Sequence, residues 1–429
     1  MNKSDSERIA GILSHFGYQQ IEQAKHADLL IINTCSIRQL SADKAYSRVG
    51  LWGKWKKKDK PHIKIGICGC VAQQDKKSIR KRAPYIDLIF GTHNIYELPE
   101  LIKKVEEGEK VCAVSEKAVH ADANDYNIDR AVGVNAWIPI IEGCNNFCTY
   151  CVVPFTRGRE RSRNFDEILK EAQKAINAGY KELTLLGQNV DSYGKDLDDS
   201  DITLANLLRE INKIDGKFRI RFVTSYPSDI TNDLIDAVEE CEKVCEYFHI
   251  PMQSGSSEIL KEMNRRYNRE EYFNIATEIR NRFKDVAITS DFIAGFPGET
   301  LEQFNETLSA IDELEIDYSN TAAYSPREFT KAAKMTDKFL SEEEKLERLS
   351  ILNEKNKEAC LKSNQKCLNK VFEVLIEAKT EKDGLITWTG RARNNKLVHF
   401  NSDNHIIGDF VDVKITKAQT WCLYADVVK

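Results

Sequence analysis

Three cysteines, Cys144, Cys148 and Cys151, stand in the run Glu142-Gly143-Cys144-Asn145-Asn146-Phe147-Cys148-Thr149-Tyr150-Cys151, a C-x3-C-x2-C loop. Three thiolates can hold three irons of a 4Fe–4S cluster. The fourth iron then keeps an open position, where a substrate can bind and receive an electron. Zinc fits poorly, because a structural zinc site closes with four ligands and no fourth Cys or His stands nearby in the chain. The plain alternative is three buried thiols in an ordinary loop. Tyr150 directly before the last Cys, and the stretch Pro154 to Arg163 after it, argue against that reading.

Two further cysteines follow apolar runs. Cys35 stands in Asn33-Thr34-Cys35-Ser36-Ile37-Arg38 after Leu29-Leu30-Ile31-Ile32, and Cys70 in Cys68-Gly69-Cys70-Val71-Ala72-Gln73 after Ile63-Lys64-Ile65-Gly66-Ile67. Both runs read as strands, so both thiols fall at carboxyl ends, where open α/β sheets carry their ligands. Cys241 and Cys245, four apart on an expected helix, would share a face; buried thiols are the commoner explanation of such a pair than a metal. The same holds for Cys112, Cys360, Cys367 and Cys422.

The elements that must position these groups fall into three segments. Residues 1–112 alternate strands with amphipathic helices at Ser6–Gly17 and Leu98–Glu107, which predicts a small α/β sheet. Residues 113–135 are polar and read as a linker. From 136 to 364 a strand–helix rhythm sets in, with strands expected at Trp137–Ile141, Glu182–Leu186, Arg219–Thr224, Tyr247–Ile250, Ala287–Ile293 and Tyr318–Ala323. Helices are expected between them, as at Phe165–Ala178 and Leu301–Leu314. A charged helix from Ser341 to Asn364 trails them, opened by a cap and an acidic first turn. Six such units predict a partial parallel (β/α)6 barrel or open arc, with chemistry gathered in the loops after the strands. Residues 365–429 hold short strands, Val371–Ile376, Leu385–Trp388, Val398–Phe400 and Val411–Ile415, which predict a small β-barrel.

Bulk properties agree with a globular chain. Of 429 residues 41% are hydrophobic and 30% charged, with a net charge of −5. No run of 18 apolar residues offers a membrane span, and the first residues lack the apolar core of a secretory signal. Twelve cysteines in such a chain predict a reducing cytoplasm and thiols used as metal ligands. The overall charge is no signature of nucleic-acid binding, but basic clusters at Lys54–Lys58, Lys76–Arg82 and Arg157–Arg163 could meet phosphate locally. A solvated face explains each cluster taken alone about as well.

The cysteine loop with its Tyr150 resembles the radical S-adenosylmethionine (SAM) superfamily. The three segments in this order resemble, over nearly the whole chain, the methylthiotransferase family: an N-terminal domain with an auxiliary iron–sulfur cluster, a radical SAM barrel and a C-terminal TRAM domain. The runs Asn33-Thr34-Cys35-Ser36-Ile37-Arg38, Cys148-Thr149-Tyr150-Cys151-Val152-Val153-Pro154, Leu185-Leu186-Gly187-Gln188-Asn189-Val190 and Asp291-Phe292-Ile293-Ala294-Gly295-Phe296-Pro297-Gly298-Glu299-Thr300 look like its tRNA-acting branch. The resemblance implies methylthiolation at C2 of N6-isopentenyl (dimethylallyl) adenosine at position 37 of tRNA. It implies two 4Fe–4S clusters, one on Cys144, Cys148 and Cys151 that binds SAM, and an auxiliary one using Cys35 and Cys70. It also implies SAM contacts at Tyr150, Gln188, Ser225, Gln253 and Gly295. The anticodon stem-loop would be gripped by the C-terminal barrel through Arg391, Arg393 and Lys396; Trp388 is also a candidate, although packing explains it better. Arg157, Arg159, Arg161 and Arg163 read either as contacts to the SAM carboxylate or an RNA phosphate, or as a plain surface run. Partners implied are an electron donor such as flavodoxin or ferredoxin, and iron–sulfur or sulfur carriers.

The chain departs from the family pattern in two places. The auxiliary cluster takes three cysteines, the first in a Gly-Cys-Gln-Met-Asn stretch. Here the sequence begins Met1-Asn2, and that Cys would fall two residues earlier. Cys68 is a weak substitute: it and Cys70, two apart on a strand, point the same way while their neighbours differ. The family's Arg-Pro-Gly-Thr-Pro-like turn is replaced by Ser325-Pro326-Arg327-Glu328-Phe329-Thr330. Two rival readings stay open: a methylthiotransferase acting on another tRNA adenosine or a ribosomal protein, and a non-catalytic iron–sulfur RNA-binding protein.

Overall fold

Four parallel strands, Leu29–Thr34, Lys64–Gly69, Leu88–Phe90 and Val111–Ala113, lie side by side in chain order. They belong to a computed structural model that describes residues 1–35, 39–115, 128–130 and 132–428, with the side chains of residues 39–41 excepted. Strand alternation splits the apolar residues between two faces. Ile65 and Ile67 pack with Val49 and Trp52 of the helix Gln39–Lys58 on one face. Cys68, Leu88 and Phe90 pack with Ile9, Ile12, Leu98 and Leu101 on the other. Cys68 is thereby a core residue. The expected helices appear as Asn2–His15 and Leu98–Glu106. The last two strands are three residues long, too short for a sequence period to reveal.

Between strand Lys64–Gly69 and helix Cys70–Asp75 the chain turns at Gly69, with φ +84°. A Cβ built there would lie 2.3 Å from Asn33 Oδ1 and 2.7 Å from the Thr34 carbonyl oxygen. Only glycine accepts both the backbone and the space. Gly69→Ala is expected to cost roughly 1–3 kcal/mol, read as a lower midpoint of thermal or denaturant unfolding.

The chain divides into two compact units: Met1–Ala131 with Glu142–Asn145 and Cys151–Glu160, and Val132–Ile141 with Asn146–Tyr150 and Arg161–Lys429. In the second unit the six expected strands form two parallel three-stranded sheets. Asn135–Pro139, Glu182–Leu186 and Arg219–Phe222 make one; Tyr247–His249, Ala287–Ala294 and Tyr318–Ala323 make the other. A parallel bridge between Ile220 and Val244 joins them into an open arc. Helices such as Phe165–Asn177 and Leu301–Glu313 bury their apolar faces against its outside. The charged helix Glu342–Gln365 starts at a capping box formed by Ser341 and Glu344 and inserts Leu352 into the same core. Its Asn356 accepts a 2.8 Å hydrogen bond from the Ser319 N–H, fixing it to the last strand of the arc.

Residues Val371–Val427 close into a five-stranded barrel. Four of its strands were expected; the fifth, Leu423–Val427, alternates buried and exposed residues and pairs with Phe410–Ala418 and Leu397–Asn401. Trp388 packs inside, its indole N–H donating to the Ser402 carbonyl at 2.8 Å. One local expectation fails. Cys241 and Cys245 do not share a helix: Asn232–Glu240 ends at Cys241, and Cys245 lies beyond the turn, just ahead of Tyr247–His249. Both thiols are buried and free, and burial raises their pKa values. A helical pattern read from spacing misses this stop because the extended backbone at Cys241 breaks the helix without Pro or Gly.

Candidate functional site

The cysteine loop is held by its backbone. Thr149 donates its N–H to the Met263 carbonyl at 2.9 Å and its hydroxyl to the Glu262 carbonyl at 3.0 Å; its own carbonyl accepts the Ala332 N–H at 2.8 Å. Phe147 takes a left-handed conformation, φ +49°. The Asn264 amide donates to the Asn146 and Phe147 carbonyls at 3.2 and 3.0 Å. These bonds position Cys148, whose Sγ accepts a 3.4 Å hydrogen bond from the Arg265 guanidinium. In the first unit the Cys144 N–H donates to the Gly158 carbonyl at 3.2 Å, and Cys151 Sγ accepts the Val153 N–H at 3.5 Å.

None of the three is in a disulfide, and all are half-buried. Hydrogen-bond donors thus reach the sulfurs of Cys148 and Cys151. Among the described residues no three His, Cys, Asp or Glu side chains gather around a single metal ion. That arrangement is what a zinc ion would need, whereas a cubane takes one thiolate at each separate corner. Donors aimed at the sulfurs of Cys148 and Cys151 fit cluster ligation.

Loops after the arc strands bring the expected SAM residues to strand ends. Tyr150 packs on the apolar group of Ile259, Met263, Phe296 and Tyr324. Thr224 and Gln253, after the third and fourth strands, both have positive φ, +77° and +76°. For a β-branched threonine this is an outlier, and such strain gathers where loops must hold a ligand. Gln253 donates its N–H to the Asp291 carbonyl at 2.8 Å and accepts from the Ile293 N–H at 2.9 Å, so its strained turn is locked to the next strand. Gly295 follows with φ +71°, and its N–H donates to Glu299 at 2.8 Å; Arg348 holds the same carboxylate at 2.9 Å. Gln188 is half-buried in the loop after Glu182–Leu186.

Ser225 is buried and donates its hydroxyl to Asp191 at 3.1 Å, while the Tyr226 N–H reaches the other carboxylate oxygen at 2.9 Å. Burial raises the Asp191 carboxyl to about 7 in spite of these two donors. The folded state therefore retains a proton that the unfolded chain releases near pH 4. Stability linked to this group is full below that pH and declines until pH passes 7. Asp191→Asn is expected to remove that decline. Between pH 5 and 7 the parent should lose roughly 2 kcal/mol more stability than the variant, measured by urea unfolding.

Inside the arc, alternation places a polar ladder. His249 Nδ1 lies 2.9 Å from the Thr289 hydroxyl and Nε2 3.5 Å from Asp291, which accepts from Asn320 at 2.9 Å. The sequence reading missed this ladder, because its members come from three different strands.

In the first unit, Cys35 follows the first strand and Cys70 opens the helix after the second. The two side chains are hydrogen-bonded to each other. That bond, with the Arg157 guanidinium, draws Cys70 down to about 6 against the burial that would raise it. Arg157 is buried and paired with Asp5 at 2.5 Å. Arg163, on the second unit, pairs with Glu171 at 2.8 Å. Arg157 and Arg163 are thus engaged within the chain.

The expected RNA contacts are also engaged. Arg393 pairs with Glu246 at 2.7 Å and donates to the Glu242 carbonyl. Lys396 reaches Ser363, Asn364 and Asp317 at 2.6, 3.0 and 3.3 Å. Arg391 is the most exposed of the three, at 38%, with Glu377 3.5 Å away. Behind them, Arg219 and Arg221 of the arc donate to the Arg391 and Arg393 carbonyls, both at 2.8 Å.

The sequence matches three family profiles: an uncharacterized protein family, UPF0004, over residues 1–91; the Radical SAM superfamily over 138–311; and the TRAM domain over 365–428. Among curated relatives, a tRNA-2-methylthio-N(6)-dimethylallyladenosine synthase of Acetivibrio thermocellus is 44% identical over 431 residues, which cover all of this chain and 89% of the relative. Relatives of the same name from Clostridium tetani and Alkaliphilus oremlandii are 44% and 45% identical, again over the whole chain and over 94% and 91% of their own length. Among solved structures, the radical S-adenosylmethionine methyltransferase TsrM from Kitasatospora setae, with tryptophan and a SAM analogue bound, aligns with a TM-score of 0.55 at 13% identity over 75% of this chain and 70% of its own. At that identity it shares the fold.

Proposed function

We propose, since the chain belongs to the family of tRNA-2-methylthio-N(6)-dimethylallyladenosine synthases, that Cys144, Cys148 and Cys151 are the ligands of its SAM-binding cluster. The chain is a radical SAM methylthiotransferase acting on tRNA. Its substrate is the N6-dimethylallyl adenosine that its relatives' name specifies, and the carbon modified is C2. When bound, the cluster and SAM supply one-electron chemistry strong enough to break an unactivated C–H bond. The chain's residues do the rest. Backbone bonds at Thr149 and Asn264 fix the ligand loop. Tyr150, Gln188, Ser225, Gln253 and the turn at Gly295 receive SAM at the strand ends. The support for this assignment is the strained, hydrogen-bonded turns at Thr224 and Gln253 together with the loop spacing.

Cys35 and Cys70, in contact at the ends of adjacent strands, supply two ligands of an auxiliary 4Fe–4S cluster in the same reading. Their mutual hydrogen bond and the low pKa of Cys70 suit thiolate ligands. Among the described residues no third metal-binding side chain joins them. Arg391 is the residue of the barrel proposed to meet the anticodon stem-loop. Arg393 and Lys396 instead hold the barrel to the arc. A flavodoxin or ferredoxin supplies electrons, and sulfur carriers renew the auxiliary site.

Mass spectrometry of tRNA nucleosides from a deletion strain tests the reading. Loss of 2-methylthio-N6-dimethylallyladenosine, with its unmodified precursor accumulating, supports it. Unchanged levels of the 2-methylthio nucleoside would overturn it.

A further inference from the structure

Arg265 stands outside every motif that announces the cluster, yet its guanidinium reaches the Cys148 sulfur. Nη1 donates to Cys148 Sγ at 3.4 Å, Nη2 to the Pro251 carbonyl at 2.7 Å, and Nε to the Tyr267 hydroxyl at 2.7 Å. Its plane lies between two aromatic faces, 4.3 Å from the Tyr226 ring centroid and 4.9 Å from that of Tyr267. Tyr267 is anchored in turn to the Pro251 and Met252 carbonyls at 3.1 and 2.9 Å. Every guanidinium nitrogen thus has a fixed partner, and the fork has no freedom to swing away.

No carboxylate pairs with it among the described residues. Elsewhere in this unit the half-buried and buried arginines pair with acids, as Arg221 does with Glu182, Arg348 with Glu299 and Arg163 with Glu171. A partly buried cation without a counter-ion is unfavourable unless an anion completes the site. The group that meets it here is the Cys148 sulfur, which is anionic when it ligates iron. We propose that Arg265 is a positioning and potential-setting residue: it holds the Cys148 sulfur by a charge-assisted hydrogen bond and makes the SAM-binding cluster easier to reduce. A positive charge and a donor at a ligand sulfur stabilise the more negative, reduced cluster and raise its potential. This inference rests on the assignment of Cys148 as a ligand.

The test is an EPR-monitored redox titration of reconstituted protein in a Cys35→Ala/Cys70→Ala background, which leaves one cluster. Arg265→Gln should move the midpoint to more negative potential, so that the reduced-to-oxidised ratio at a fixed poise falls about tenfold, equivalent to 59 mV for one electron. Arg265→Lys, which keeps the charge and loses the fork, should fall between parent and Gln. An unshifted midpoint in Arg265→Gln, at parental iron content, would overturn the inference. Should that variant bind no cluster, electron–nuclear double resonance on protein labelled with 15N-arginine decides. A 15N coupling to the reduced cluster supports the contact, and its absence overturns it. Cys148→Ala in the same background separates the two layers: parental iron content there would sink the ligand assignment itself.

Discussion

Alanine at Cys144, Cys148 and Cys151 together is expected to lower bound iron by about four per chain and to abolish 5′-deoxyadenosine formation from SAM. Iron and sulfide analysis after anaerobic reconstitution reads the first effect, and chromatography of the SAM products the second. The loss should be complete rather than graded, because these three cysteines would hold the cluster that supplies the one-electron chemistry. Cys35→Ala/Cys70→Ala should behave differently. It should spare 5′-deoxyadenosine formation and stop methylthio transfer, since Cys144, Cys148 and Cys151 are unchanged. If the triple variant still cleaved SAM at the parental rate, the role given to the loop would be lost. Equal loss of SAM cleavage in both variants would show that the two cysteine sets are not separate sites.

Glu182→Gln is expected to destabilise the second unit by about 3–5 kcal/mol, measured by denaturant unfolding. Glu182 and Arg221 are each 3% exposed and face one another at 3.1 and 3.2 Å. Asn135 adds a 2.9 Å hydrogen bond to the same carboxylate. Removing the negative charge leaves Arg221 buried without its partner, and that uncompensated cation is the source of the cost. The paired substitution Glu182→Met/Arg221→Met should cost much less, because both charges leave together. The pH dependence has a definite sign. Burial alone would raise the Glu182 carboxyl, but Arg221 and its neighbours hold it below the usual carboxylate range. Its contribution is therefore full above the unfolded value near pH 4 to 5 and is lost as pH falls through the lower folded one. The acid limb of unfolding should flatten in Glu182→Gln. A cost under 1 kcal/mol at neutral pH would mean that water already reaches the pair.

This buried pair also explains how the barrel is attached. Arg221 donates to the Arg393 carbonyl and Arg219 to the Arg391 and Glu373 carbonyls, so the charge that Glu182 steadies is shared with the barrel's backbone. The family resemblance implied that Arg391, Arg393 and Lys396 grip RNA. Charge in a sequence does not record what it faces, and here two of these three cations meet Glu246 and Asp317 of the arc.

Local information was enough for the cysteine loop, the six strands of the arc and the long capped helix. Each is written in neighbouring residues: ligand spacing, apolar runs bounded by turns, and a Ser-x-x-Glu box at Ser341. The strained turns at Thr224 and Gln253, the Asp191–Ser225 pair and the ladder from His249 to Asn320 were not legible, since each depends on register between strands far apart in the chain. Arg265 is the clearest instance. Nothing in Met263-Asn264-Arg265-Arg266-Tyr267 singles out one arginine, and the sulfur it meets lies 117 positions away. Chemistry of the ligands was set by residue type and spacing along the chain. Which charges are free, which are spent on packing, and which touch a ligand was decided only when the chain folded, because electrostatic partners are chosen by distance in space.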